Sequence, residues 1–156
     1  MKINPARITR PANYRPYQGN QADLLEYGKK LYNSTSLSTN GLSCQTCHQS
    51  GSMFEPTFAK PYPHFVSMAK DRAGLNQIHL DEMVQLCMMA PMATEPLVWN
   101  SRMLAALTAY TADVQKTFRA NPCAAKNPCA MKNPCAMKNP CGARNPCAMR
   151  NPCAMR

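Results

Sequence analysis

The sequence predicts a small, mainly α-helical domain with an irregular N-terminal arm and a repetitive C-terminal tail. Apolar residues recur at helical spacing in three stretches between residues 20 and 120. Residues 1–19 contain three prolines and no periodic apolar pattern, so they are expected to form an extended arm on the surface. Residues 121–156 repeat every six residues. Because 156 residues suffice for one modest core but hardly for two, we expect one folded unit with two appendages.

The first helix is predicted between Asn20 and Asn33. Asn20 suits the N-cap position because its side-chain oxygen can accept hydrogen bonds from the first free backbone amides. One helical face carries the apolar and small residues Leu24, Leu25, Gly28, Leu31 and Tyr32. This face is expected to pack in the core.

A polar loop, Ser34 to Ser43, follows, and a second loop with several prolines runs from Gly51 to about Gly74. A second helix is predicted from about Asp81 to Met88, since apolar residues recur there behind two acids that suit a helix N-terminus. Pro91 ends it.

The third predicted helix is the clearest of the three. Asn100 or Ser101 serves as its cap, and it ends near Phe118. Its apolar face comprises Leu104, Leu107, Thr108 and Val114, flanked by Met103 and Tyr110. We expect the first and third helices to pack against each other.

The segment Cys44-Gln45-Thr46-Cys47-His48 has the C-x-x-C-H spacing of covalent haem attachment. Two thiols three positions apart on one helical turn can bond both vinyl carbons of one porphyrin edge, and the adjacent imidazole can then ligate the iron. A zinc ribbon would need a second cysteine pair, and a thioredoxin-like motif would need an α/β pattern. The sequence therefore predicts one covalent haem c on Cys44 and Cys47, with His48 as the proximal ligand, in a cytochrome c-like domain of residues 20–120.

The sixth iron ligand must come from downstream residues, and the sequence leaves it open. Met92 after Pro91 is the ordinary thioether choice and would raise the reduction potential, whereas a Cys87 thiolate would lower it. The remaining candidates are Met88, Met89, His64 and His79.

Six motifs between Gly28 and about Gln115 belong together. They are Gly28-Lys29-Lys30-Leu31-Tyr32, Leu42-Ser43-Cys44-Gln45-Thr46-Cys47-His48, Tyr62-Pro63, Cys87-x4-Met92, Glu95-Pro96-Leu97 and Leu104-Ala105-Ala106-Leu107-Thr108-Ala109-Tyr110. On these motifs the chain resembles the haem domain of the sulfur-oxidation cytochromes, namely the A subunit of the Sox thiosulfate-oxidising complex and the first domain of thiosulfate dehydrogenase. The resemblance implies that Cys87 is the distal haem ligand.

One departure from that family bears on function. Members that oxidise thiosulfate carry a basic residue between the cysteine and the methionine, whereas this chain has Met88, Met89, Ala90 and Pro91 there. Those enzymes also work with a second haem, and this chain has one attachment motif. We therefore expect a single-electron carrier rather than an enzyme. The alternatives are a haem subunit of a thiosulfate-oxidising complex with Cys87 near the chemistry, and a structural relay subunit of a larger assembly.

Charge and hydropathy bear on partners and location. The net charge is +10, and residues 121–156 carry six Lys/Arg and no acid. This positive charge favours an acidic redox protein or a larger electron-transfer complex as the partner, steered by Lys29, Lys30, Lys60 and Lys70. No motif indicates binding to nucleic acid. No apolar run is long enough to span a membrane. The haem motif implies a periplasmic or otherwise exported protein whose export signal was removed or lies outside this sequence. It also allows association with a membrane complex.

The tail consists of six hexapeptides, NPCAAK, NPCAMK, NPCAMK, NPCGAR, NPCAMR and NPCAMR. Each Asn-Pro is expected to start a turn, so the repeat is not a core segment. Because thiols of exported proteins tend to oxidise, we expect the tail to be cross-linked by disulfides. A thiolate metal site, and docking or cross-linking to an assembly, are the alternatives.

Overall fold

The computed structural model of the protein describes residues 2–119. Within that range the chain forms the helices α1 (Gln21–Asn33), α2 (Cys44–His48), α3 (Ser67–Ala73), α4 (Leu80–Met89) and α5 (Arg102–Thr117). Among the described residues, the β-structure is limited to an isolated antiparallel bridge between His64 and Ile78. None of its helices is long and apolar enough to cross a membrane. The mainly α-helical prediction is confirmed, while the disulfide, metal and docking hypotheses for the tail fall outside the described residues.

The predicted caps begin the two long helices. The Asn20 side chain accepts hydrogen bonds from the amides of Ala22 and Asp23, at 2.9 and 3.2 Å. At α5 the cap is Ser101 rather than Asn100, and its hydroxyl accepts from the Leu104 amide at 3.2 Å. Each cap satisfies helix amides that have no partner inside the helix.

α1 and α5 pack closely against each other, as expected. Their shared core contains Leu24, Leu31, Tyr32, Ala106 and Leu107. Gly28 lies directly on the α5 backbone: a Cβ atom there would be 2.1 Å from the carbonyl oxygen of Ala106 and 2.7 Å from the Cβ of Tyr110. The two helices can approach this closely because residue 28 has no side chain.

The N-terminal arm runs over the surface for most of its length but contributes to a second core. Its only regular structure is a 3₁₀ turn at Pro5–Arg7. Ile3 and Ile8 are buried in a cluster with Val66, Ala69, Ala73, Ile78 and Leu86. The lack of periodicity in the arm gave no sign of this burial.

The predicted loop from Gly51 to Gly74 contains a helix, α3, that the sequence analysis missed. Its amides are satisfied by Glu55, whose carboxylate accepts from the amide and hydroxyl of Ser67, both at 3.1 Å, and from the Met68 amide at 3.3 Å. This cap lies 12 residues before the helix, so no local signal could reveal it. α3 ends at Gly74, whose φ of 73° is the left-handed conformation that favours glycine.

We predict that Gly28→Ala destabilises the protein by about 3 kcal/mol, because the new methyl group would collide with backbone atoms that cannot move aside as a side chain would. Chemical denaturation of the haem-loaded protein measures the change. Lys29→Ala, at the exposed neighbouring position on α1, serves as the control and should alter stability by less than about 0.5 kcal/mol. Equal denaturation midpoints for Gly28→Ala and Lys29→Ala would contradict the close approach of α1 to α5.

Candidate haem-binding site

The short helix α2 carries the paired cysteines and is fixed by a capping box. The Ser43 hydroxyl accepts from the Thr46 amide at 3.2 Å, and the Ser43 amide donates to the Thr46 hydroxyl at 3.0 Å. These reciprocal bonds satisfy amides at the helix start. One turn then places Cys44 and Cys47 side by side, because residues three apart share a helix face.

Cys44, Cys47 and His48 line a common cavity that is partly open to solvent. Most of its wall is apolar, and it includes residues from α2, α4, α5 and the segment before α3. The lining side chains include Leu42, Met53, Phe54, Phe58, Val66, Met68, Leu80, Met83, Val84, Cys87, Met88, Met92 and Leu107. No lysine or arginine of the described residues lines it, and its one acid, Glu55, is bonded to the start of α3. An apolar wall of this kind suits a large hydrophobic cofactor.

The imidazole of His48 is oriented by its neighbours. Its Nδ1 lies 3.2 Å from the carbonyl oxygen of Ser52, so in the neutral ring Nδ1–H donates and Nε2 keeps its lone pair. The ring stacks on Phe54 at 3.9 Å between centroids, and Phe54 stacks on Phe58 at the same separation. Burial lowers the pKa of His48, and the Ser52 bond opposes this shift. A neutral imidazole fixed through Nδ1 is the form that ligates metals.

Cys87 lies on α4 and lines the same cavity. Its pKa is raised to about 12, mainly by burial and further by the charges of Cys44 and Cys47, which line the same cavity. Burial likewise raises the pKa of Cys44 to about 11. In the protein alone these two thiols are therefore protonated at neutral pH, and a bound metal cation would be needed to favour a thiolate.

The other proposed distal ligands fall into two groups. Met92, Met88 and His64 line the cavity, and the two methionines are almost fully buried. Met89 instead packs against the second core. The His79 amide donates to Glu82 at the start of α4, and the residue is not part of the cavity wall.

Hydrogen bonds hold the segment that follows α4 on both of its sides. The Asn40 side chain donates to the Pro91 carbonyl at 2.8 Å, and the Thr39 hydroxyl donates to the Ala93 carbonyl at 2.7 Å. The fully buried Gln85 both donates to the carbonyl and accepts from the amide of Leu97, each at 2.7 Å. These bonds fix the backbone around Met92.

The donor set and the cavity fit a haem c. Two thiols and an imidazole on one turn could hold a haem through two covalent bonds and one iron ligand, and Cys87 or Met92 could provide a second iron ligand. Three further residues of the wall, Tyr32, Thr57 and His64, each have a buried polar side-chain atom without a hydrogen-bond partner among the described residues. Buried polar groups normally have partners, and the polar edge of a haem can provide them.

Some of these contributions could not be expected from the sequence. The Ser52 carbonyl is a backbone group, for which residue identity gives no signal. Phe54 and Phe58 lie in the stretch interpreted only as a loop, and their stacking depends on the path of the chain. Tyr62, whose pKa is raised mainly by burial and next by Cys87, was singled out only through the family motif.

Comparison with known proteins gives one match. Residues 27–117 match a family model described as the SoxA/TsdA cytochrome c domain. The match covers more than half of the chain, includes the C-x-x-C-H segment and Cys87, and confirms the resemblance found in the sequence. Searches of curated proteins and of solved structures gave no match.

We predict that Gln85→Leu lowers the free energy of unfolding by about 3 kcal/mol, since the partly buried Leu97 amide and carbonyl would both lose their hydrogen bonds to the Gln85 side chain. Denaturation midpoints measure the effect. The control, Gln18→Leu, removes a single long bond of 3.4 Å on an exposed side chain and should change stability little. A loss of similar size in both variants would show that Gln85 does not fix this segment.

Proposed function

Because the chain belongs to the SoxA/TsdA cytochrome c domain family, we propose that it is a monohaem cytochrome that passes single electrons between exported or membrane-associated partners. The family assigns it a covalently bound haem c and a role in haem electron transfer. The observation that carries the finer proposal is that the paired thiols, His48 and two sulfur donors all line one apolar cavity. A haem bound there supplies the Fe(III)/Fe(II) couple.

In this proposal each site residue has a distinct role. Cys44 and Cys47 form the thioether bonds, and His48 is the proximal ligand, oriented by Ser52 and Phe54. Cys87 is the distal ligand, with Met92 as the alternative. The family resemblance favours Cys87, which lines the same cavity as the attachment cysteines.

The composition of the cavity wall favours a carrier over a thiosulfate-oxidising enzyme. An anionic substrate would need a nearby positive charge to compensate for its desolvation. Within residues 2–119 the wall contains no Lys or Arg, and the four residues between Cys87 and Met92 are uncharged. Apolar packing around a haem excludes water and tunes its potential without creating an anion site.

Partner and location complete the proposal. The exposed Lys29 and Lys60, together with Lys30 and Lys70, favour an acidic redox partner, which they would steer by long-range attraction. Lys30 also pairs with Glu26 at 2.7 Å and Lys70 bonds Asn76 at 2.9 Å, so these two are partly engaged. We place the protein in the periplasm or another exported compartment, because covalent haem attachment of this kind takes place there.

We predict that Cys87→Ala removes the thiolate signature from the low-temperature EPR spectrum of the oxidised protein and raises the reduction potential. Loss of a charge-donating ligand disfavours Fe(III), which explains the direction. Met92→Leu is the matched control and should keep the parent spectrum. If Met92→Leu changes the axial ligation and Cys87→Ala does not, Met92 is the distal ligand and Cys87 is a core residue.

We predict that the purified protein contains one haem per chain and does not turn over thiosulfate. A pyridine haemochrome assay with a protein determination gives the stoichiometry, and steady-state reduction of an electron acceptor measures turnover. Rapid reduction of the same sample by dithionite is the control for a redox-competent haem. Sustained thiosulfate turnover by the isolated chain would establish the enzyme alternative.

A further inference from the structure

The N-terminal arm is bonded to the first turn of α4, the helix that carries Cys87. The guanidinium Nε of Arg10 lies 3.1 and 3.0 Å from the two carboxylate oxygens of Asp81. The Arg10 backbone amide donates to Glu82 at 2.9 Å. The two acids are only 4% and 6% exposed, and both accept hydrogen bonds from the arm.

Those carboxylates also organise the helix start. Asp81 accepts from the Glu82 amide and Glu82 accepts from the His79 amide, each at 2.9 Å. Negative charge is favourable at a helix N-terminus, but a buried carboxylate still needs a cation when it leaves water. Arg10 supplies that cation, and its side chain in turn lies 5.5 Å from the Tyr14 ring.

The apolar side of the arm continues the attachment along α4. Ile8 is fully buried and belongs to the same cluster as Leu86, the residue immediately before Cys87. At α3, the Ile3 amide donates to the Arg72 carbonyl at 2.7 Å. The arm is therefore held both at the start of α4 and beside Cys87, one of the two distal ligand candidates.

The arm also contacts the chain beyond Met92. Arg7 forms an ion pair with Glu95, and the ring of Tyr14 meets Trp99 edge to face at 5.2 Å between centroids. The arm therefore contacts both ends of the segment formed by residues 81–99. This segment contains the two distal ligand candidates, Cys87 and Met92.

We propose that residues 2–14 form a clasp that holds residues 81–99 against the cavity. Within this clasp, Arg10 is the positioning residue that sets how readily the distal sulfur dissociates from the iron. The inference rests on the proposed function for the presence of haem, but it holds whether Cys87 or Met92 is the ligand. Removing the Arg10 side chain leaves Asp81 buried without its cation. The first turn of α4 then loosens, and the distal ligand dissociates more often.

The test uses the full-length, haem-loaded oxidised protein with cyanide as the incoming ligand. At saturating cyanide the binding rate reaches a plateau equal to the dissociation rate of the distal ligand. We expect Arg10→Gln to raise this plateau at least tenfold, measured well below the unfolding temperature. Arg10→Lys keeps the charge but replaces the planar guanidinium, whose Nε contacts both Asp81 oxygens, so a rise of about threefold is expected.

The control is Lys116→Gln, which breaks an ion pair with Asp113 on the exposed surface of α5 and should leave the plateau within twofold of the unmodified protein. A purely structural role for Arg10 would lower the denaturation midpoint without changing the plateau, and that result overturns the clasp. If Arg10→Gln does not accumulate as folded protein, an unchanged plateau in Arg10→Lys overturns it instead. A colourless unmodified protein would overturn the proposed function itself, which the haem assay distinguishes from failure of the clasp.

Discussion

The close contact between Gly28 of α1 and the Ala106 backbone of α5 is the constraint on which the rest of the domain is arranged. Helices approach each other to the extent that the side chains between them allow. With no side chain at residue 28, the shared core of Leu24, Leu31 and Leu107 closes around the crossing point. Tyr32 and Tyr110 then meet edge to face at 5.1 Å, and Tyr32 and Leu107 continue into the cavity wall.

α4 links this core to the second one. Its residues Met83 and Leu86 pack with the arm and α3, whereas Val84 packs with the α1–α5 core. Cys87 therefore lies on an element that is fixed from both sides, and the next segment is tied to it through Gln85. A distal ligand on such an element is held by long-range contacts, while the attachment motif on α2 is held by the local Ser43–Thr46 box.

This difference explains how much could be predicted from the sequence. α1, α4 and α5 were predicted because each has a cap or acidic N-terminus and an apolar face, and the attachment motif was recognised because its chemistry lies within five residues. α3 was missed because its cap comes from Glu55, and the burial of Ile3 and Ile8 was missed because it depends on a surface formed by α3 and α4. The distal ligand stayed open for a similar reason: Cys87, Met88, Met92 and His64 all line the cavity, so burial alone does not choose between them.

The contact between Tyr14 and Trp99 makes the arm visible to spectroscopy. Trp99 is the single tryptophan of the chain, and its indole ring is half-buried against the arm. Indole emission depends on the polarity around the ring and on energy transfer to the haem, so a change in the residual emission of the protein reports when the arm leaves Trp99. The chain thus contains an intrinsic optical probe at the site where the arm meets the domain, and no external label is needed to follow it.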